Sequence, residues 1–333
     1  MLRAASRVTI SNRALNRLIA ALAAVLVIGA LAFTAFYLSD RWVPHGTNVV
    51  DRQTAMLEAA VKQQPNNVNA RLQLAGAYTA GQRYQDAIDQ FDAVLSMQPN
   101  YKSALLGRGE AYQLQGTLDK AAADFQSVID IAKGSEFAAE DTELTQAYYS
   151  LGAVELAQGK PAAAIAPLLA ALANNKTDSD TLGLLGQAYT ATGQTSNAIE
   201  ALRAAVSFVP TGWADPYVTL AKAYSKAGQP EEAAWANAMA MLANKQIDQA
   251  IAALKGLTSG PAAIDAKVGM GLALELSSDP KGAADWYRQA LAARPSDLIA
   301  QGGLSRVAPK PSAAASAAAP SLAVPSPTAA GSH

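Results

Sequence analysis

"AYTAGQRYQDAIDQF", residues 77–91, is answered 34 residues later by "AYQLQGTLDKAAADF", residues 111–125. Tyr78, Ala87 and Phe91 return as Tyr112, Ala121 and Phe125, while nearly everything between them changes. A period of this length, broken in the middle by Gly81 and again by Gly116, fits a hairpin of two helices repeated along the chain. Such a hairpin carries apolar stripes that it cannot cover alone, so neighbours must stack to shield them. The retained residues are then the points of contact. Ala87 and Ala121 sit where a larger side chain would push two backbones apart, and Tyr78 and Phe91 fill the space between helices. Truncating a buried Phe of this kind to Ala would cost about 3–5 kcal/mol.

The period continues. With positions in a unit numbered from 1, units run over 68–101, 102–135, 145–178 and 179–212, with an insertion near 136–144. Leu74, Ala75, Val94 and Pro99 accompany the first triad, and Leu105, Gly109 and Val128 the second. The third has Leu151, Gly152, Ala164, Leu168 and Ala171, with Glu155 where the Tyr belongs; the fourth has Leu185, Gly186, Tyr189, Ala198, Leu202 and Pro210. A fifth unit starts near 214 with Leu220, Ala221, Tyr224 and Ala233, but Asn237 falls where a large apolar residue belongs, and an extra helical stretch, "IDQAIAALKGL", follows it. Order returns at 264–297 with Gly271, Ala283, Tyr287 and Pro295. Upstream, "MLEAAVKQQPNN" reads as a solitary second helix. Gly159, Gly193 and Gly228 join Gly81 and Gly116 as expected left-handed caps of first helices. "QPNN", "QPNY", "VPTG" and "RPSD" close units with a helix-stopping Pro and a residue suited to capping the next helix.

These residues, Leu-Gly, Tyr, Ala, Phe and Pro in near-constant register over roughly residues 50–307, resemble the tetratricopeptide repeat family. The resemblance implies an all-α superhelix of antiparallel helix pairs, with five to six repeats and flanking helices. It also implies a concave face built from first helices that holds an extended or helical peptide. The positions that would line it include Asn69, Leu72, Gly76 and Thr79 in the first unit and Leu106, Glu110, Gln113 and Leu114 in the second. Gln146, Tyr149 and Leu156 follow in the third, and Gln187 and Thr190 in the fourth. One subclass of the family grips a C-terminal carboxylate with Lys and Asn in its first unit. Leu72 and Gly76 stand at those places, so a neutral groove with apolar contacts is expected instead. The bland alternative is that some of these Leu side chains pack between units.

The ends of the chain differ from its middle. Residues 18–38 form an uncharged, mostly apolar run of 21 residues, which as a helix would reach about 31 Å, close to the hydrocarbon thickness of a bilayer. Arg3, Arg7, Arg13 and Arg17 precede it without an acidic residue among them. The positive-inside rule then keeps residues 1–17 in the cytoplasm and exports the rest, which implies a single-pass inner-membrane protein with periplasmic repeats. A cleaved signal peptide ending near Ala30-Leu31-Ala32 is the rival, although the apolar run continues past that point through Phe33, Phe36 and Leu38. An anchor in a eukaryotic outer organelle membrane, with the repeats in the cytosol, also fits. Residues 39–49 read as a linker containing His45, and residues 308–333, nearly all Ala, Pro and Ser, as a flexible, partly extended tail.

Chemistry is limited by what the chain lacks. Of 333 residues none is Cys and two are His, at 45 and 333, which excludes a thiol nucleophile, a disulfide, a thiolate zinc site and a histidine cluster. Glu136, Glu140, Asp141 and Glu143 in the insertion match no metal loop and read as a solvated, acid-rich helix start. Gly107-Arg108-Gly109 lies inside a helix that follows no strand, and so is not a phosphate loop. With net charge −1 and no basic stripe, nucleic acid is not an expected partner. No cofactor, metal or small-molecule substrate is expected, and no enzyme activity. The expected partners are a protein or peptide segment, the bilayer through residues 18–38, and other membrane subunits. Two readings follow: a membrane-tethered scaffold similar to the bacterial repeat proteins that assist envelope assembly, secretion or cytochrome c maturation, or an accessory subunit held in a larger integral complex through its membrane helix.

Overall fold

The computed structural model describes residues 49–307, and among them every regular element is helical. The predicted span 18–38, the basic segment before it and the tail 308–333 lie outside the described residues. No described helix is long and apolar enough to cross a membrane. The chain divides into two compact units, Met1–Gln115 and Gly116–His333, a boundary that falls inside the second repeat.

In the first unit α1 (Val49–Gln63) stands alone, α2 (Val68–Ala80) and α3 (Tyr84–Met97) form a hairpin, and α4 (Lys102–Gln115) packs on it. Helix α1 starts at Val49, one residue inside the segment assigned above to the linker. Asn67 opens α2 by accepting the Ala70 N–H at 3.1 Å, as its place after the unit-closing Pro suggests. Tyr78 donates its hydroxyl to Glu58 Oε1 of α1 at 2.8 Å, and Arg83 lies 4.2 Å over the Tyr78 ring, which ties the solitary helix to the first hairpin.

The second unit begins with α5 (Leu118–Ala132). A single 3-10 turn (Ala138–Glu140) follows, then α6 (Thr142–Ala157), α7 (Pro161–Asn174), α8 (Ser179–Ala191) and α9 (Thr195–Phe208). It continues through α10 (Asp215–Lys226), α11 (Pro230–Ala243), α12 (Ile247–Lys255), α13 (Ala263–Leu276), α14 (Pro280–Ala293) and α15 (Leu298–Val307). Each helix packs on the next in sequence. The insertion is absorbed by the 3-10 turn, and Asp141 caps α6 by accepting the Leu144 N–H at 3.0 Å.

One contact recurs through the array. The glycine at position 8 of a unit receives the large side chain at position 24 of the same unit. A Cβ on Gly152 would lie 2.5 Å from Leu168, on Gly186 2.4 Å from Leu202, and on Gly271 2.4 Å from Tyr287. Two of the aromatic rings at position 24, Phe91 and Tyr287, also reach the next helix, where position 6 is glycine. Gly107 faces the tip of Phe91 at 2.3 Å and Gly303 that of Tyr287 at 2.2 Å. This explains Gly107 within the Gly-Arg-Gly run. It is a gap for a ring from the preceding hairpin. Ala87, Ala121, Ala164, Ala198 and Ala283, all at position 20, are buried.

Position 15 carries the turn within each hairpin. Gly116, Gly159, Gly193 and Gly228 sit there with positive φ, the conformation in which glycine avoids a Cβ clash. Gly81 departs from the expected role. It lies one residue early with φ −82°, and Gln82, at position 15, takes the left-handed conformation with φ 58°. The backbone bond that closes the turn runs from position 16 to position 11 whichever residue sits between, as in Arg83 N–H to Tyr78 O and Gln194 N–H to Tyr189 O.

The irregular stretch after the fifth unit resolves into a shared helix. The α11–α12 turn has the same form as a hairpin turn, with Lys245 left-handed and the Gln246 N–H bonded to Met241 O. Counted from this turn, Ala250 and Leu254 occupy positions 20 and 24, both are fully buried, and Leu254 faces Gly269 at position 6 of the next hairpin. Helix α11 therefore serves as the second helix of one pair and the first helix of the next. Contacts between alternate helices follow suit: α6, α8 and α10 form one row, and α11, α13 and α15 another. Trp235, Ala236, Ala238, Met239, Ala240 and Leu242 are all buried, which wraps α11 in protein on most of its circumference. Asn237 stays exposed because the face that it occupies belongs to neither pair.

Two outcomes follow. Gly186→Ala, forced against Leu202, should lower stability by about 1–3 kcal/mol in chemical unfolding. Gly76→Ala, with nothing within 4 Å of the new methyl, should raise it by about 0.5–1 kcal/mol. Burial, reinforced by the hydrogen bond to Glu58 and its charge, pushes the Tyr78 phenol up to about 12 from an ordinary 10.0. The folded state thus keeps this proton longer than the unfolded chain, and the resulting stability is present below pH 10 and lost as pH rises through 12. The stability difference between wild type and Tyr78→Phe should shrink steadily over that interval.

Candidate functional site

None of the thirteen residues expected on the first-helix face belongs to the core. In the first unit Asn69, Gly76, Glu110 and Leu114 are exposed, and Leu72, Thr79, Leu106 and Gln113 are half-buried. In the second, Gln146 and Gln187 are exposed, and Tyr149, Leu156 and Thr190 are half-buried. The half-burial of Leu72, Leu106 and Leu156 leaves each with an apolar edge toward solvent. Thr79 and Thr190 donate their hydroxyls to the carbonyls four residues back, at 3.0 and 2.8 Å, so each offers mainly its methyl to an incoming group.

In the second unit these residues border two hollows. The first, of about 450 Å³, lies between α6, the end of α7 and the start of α8. Gln146 and Tyr149 form part of its wall, with Thr145 and Asn174 beside them. Glu140, Asp178 and Asp180 also line it, and no Lys or Arg does. The neutral groove expected from Leu72 and Gly76 does not extend here, because helix starts concentrate carboxylates where they complement the helix dipole. Asp178 caps α8 by accepting the N–H of Thr181 at 3.0 Å and the hydroxyl of the same residue. Glu140, read from the sequence as merely solvated, faces the hollow because the 3-10 turn brings the insertion back against α7. Burial, with Asp180 and Asp178 adding to it, raises the Tyr149 phenol above its ordinary value, so Tyr149 stays a neutral hydrogen-bond donor.

The second hollow, of about 380 Å³, lies along α8 and the start of α10, where Gln187 and Leu184 meet Trp213, Val218 and Lys222. Trp213 is its principal apolar surface. The indole rests on Gly183, where a Cβ would lie 2.6 Å from the ring. Sequence periodicity missed this residue, since it belongs to the connection between units. The available signal was a Trp in a loop four residues before the Tyr217 that begins the next helix's buried stripe. Among the described residues no group of three or more His, Cys, Asp or Glu is placed to hold a metal ion. The arrangement is a shallow, mixed surface of carboxylates, amides, two aromatic rings and threonine methyls, suited to side-chain recognition.

Comparison with known proteins agrees with this architecture. The tetratricopeptide repeat model matches residues 54–102, 80–136, 149–215 and 236–297, together well over half of the chain. The last segment starts within α11 and takes in α12, in keeping with the double use of that helix. Among solved structures, the C-terminal part of a TPR repeat-containing protein from Cytophaga hutchinsonii is similar over 78% of this chain and 95% of its own, at 16% identity and TM-score 0.50. MamA is 24% identical over 56% of this chain and 96% of its own, with TM-score 0.48. YrrB, described as a TPR protein with an unusual peptide-binding site, is 19% identical over 60% of this chain and 97% of its own, with TM-score 0.48. A search of curated proteins returns no significant match. The recurring glycine-to-large-residue contact, the common turn and the matched segments lead to one identification: the chain belongs to the tetratricopeptide repeat family.

Proposed function

We propose that this chain is a non-catalytic scaffold that binds an extended or amphipathic segment of a partner protein along its first-helix faces and is held at a membrane by residues 18–38. Tetratricopeptide repeat folds are in general protein-interaction scaffolds. The observation that carries the reading is the face of α6 and α8, where Gln146, Tyr149, Gln187 and Thr190 stay out of the core while a separate stripe of each helix, including Leu151, Val154, Leu182 and Leu185, is buried. The acidic hollow around Tyr149 favours a segment that presents Lys or Arg, and the Trp213 surface favours an apolar residue nearby. The membrane tether rests on the uncharged length of residues 18–38 and the four Arg before it.

A photo-crosslinking residue placed at Gln187 should capture one discrete protein in native membranes, and the same residue at Glu200, exposed on second helix α9, should not. Tyr149→Ala combined with Trp213→Ala should weaken that capture by about tenfold or more, the loss expected when two aromatic anchors are truncated. Thermal unfolding should move by only a few degrees. A large drop in melting temperature would instead make these rings part of the core. Alkaline carbonate should leave the full chain with the membrane fraction and release a chain lacking residues 1–38. Release of both would remove the tether from the proposal.

A further inference from the structure

The shared helix creates a feature that regular stacking does not. Because α11 serves two hairpins, α9 and α13 come within side-chain reach, and a cavity of about 380 Å³ opens among α9, α10, α11, α13 and the α14–α15 connection. That is the size of a small-molecule site. Tyr217, Trp235, Met239, Val268, Leu272 and Leu298 supply an aromatic and aliphatic wall. Tyr217 and Trp235 meet edge to face, with ring centroids 5.9 Å apart, which fixes both rings.

One buried donor in this wall lacks an acceptor. Trp235 is only 7% exposed, and its Nε1 is buried without a hydrogen-bond partner among the described residues. Arg294 gives Nη1 to Asp265 at 2.7 Å and to Asp297 at 3.1 Å, and its side chain, 38% exposed, reaches solvent. The charges, by contrast, are balanced. Asp265 receives Arg203 at 3.0 and 3.4 Å as well as Arg294, and Asp297 takes the second bond of Arg294. Burial disfavours the Asp265 charge, but the two guanidiniums outweigh it and hold the carboxyl below its usual range, so two cations face two anions. A charged ligand would leave an unmatched charge inside a partly dry site. An acceptor without charge would satisfy the orphaned indole N–H without that cost.

We propose that this cavity binds a neutral, largely apolar small molecule carrying one carbonyl oxygen, which accepts the Trp235 indole N–H while the body of the molecule lies against Tyr217, Met239 and Leu272. The site is separate from the first-helix face around Tyr149, and loss of either leaves the other intact.

The probe is benzophenone, a neutral diaryl ketone that photoreacts with nearby C–H bonds. Diphenylmethane, of the same shape without the oxygen, and 4-benzoylbenzoate, the same ketone with a negative charge, serve as comparisons. With the full-length chain, benzophenone should bind saturably, shift the Trp235 indole N–H resonance downfield and, on irradiation, leave an adduct on α11 or α13. It should bind about tenfold more tightly than diphenylmethane, the difference expected for one satisfied buried donor. Trp235→Phe, which keeps the ring and removes the donor, should erase that preference. Ile299→Trp, which adds bulk to the cavity wall, should abolish both affinities. If Ile299→Trp does not fold, the ketone-to-hydrocarbon ratio in wild type and Trp235→Phe decides alone. Equal binding of ketone and hydrocarbon, tighter binding of the benzoate, an unmoved Trp235 resonance, or adducts confined to other helices would each overturn the proposal.

Discussion

The close approach of a glycine at position 8 and a large side chain at position 24 organises three of the described hairpins. A glycine on the first helix removes the Cβ that would keep the second helix away, and a Leu or Tyr from that helix occupies the space, as in Gly152 with Leu168 and Gly271 with Tyr287. Interiors packed to crystal-like density make such a contact specific, since a single methyl group is felt. Side-chain size at position 24 then propagates forward. The rings of Phe91 and Tyr287 reach past their own hairpins to the next helix, where Gly107 and Gly303 leave room for them. Stacking is thus specified by paired volumes across three helices, which is why the intervening residues can vary so widely without loss of register.

That economy has a consequence for the surface. Since packing consumes only a few positions per unit, the remaining positions of the first helices are free to differ, and in the second unit they do. Tyr149 sits beside carboxylates, and Gln187 sits beside Trp213. Variation that leaves stacking untouched is what an interaction scaffold requires, because a partner can be recognised without altering the frame that presents the recognition residues.

The double use of α11 is the main departure from regularity. A helix buried on one stripe has one partner surface, whereas α11 is apolar on most sides and can serve two. The row of first helices is thereby offset by one element, and Arg203 on α9 meets Asp265 at the start of α13, 62 residues away. The buried ion cluster and the adjoining cavity are products of that offset, so polar groups and space are concentrated where the repeat is least regular.

Much of the fold was legible in the chain itself. Tyr78, Ala87 and Phe91 recurring at 34 residues established hairpins, and the Pro and Gly punctuation placed their ends. The first-helix face came from the family resemblance, and of its thirteen residues six are exposed and seven half-buried. Other features were not legible. Gly81 was read as a left-handed cap, but the turn geometry counts from the helix, and Gln82 occupies the critical place. "IDQAIAALKGL" carried Ala250 and Leu254 at the proper spacing, yet an Ala-rich helix that is apolar all round does not reveal which neighbour each side will meet. The acidic hollow, the seat of Trp213 on Gly183 and the Arg203–Asp265–Arg294 cluster depend on loops and on contacts between distant segments. By itself the sequence determined the repeating unit, since helical periodicity and residue volume act over neighbouring turns. Only the tertiary structure decided which helix is shared and what gathers around it, since those outcomes depend on how whole helices face one another.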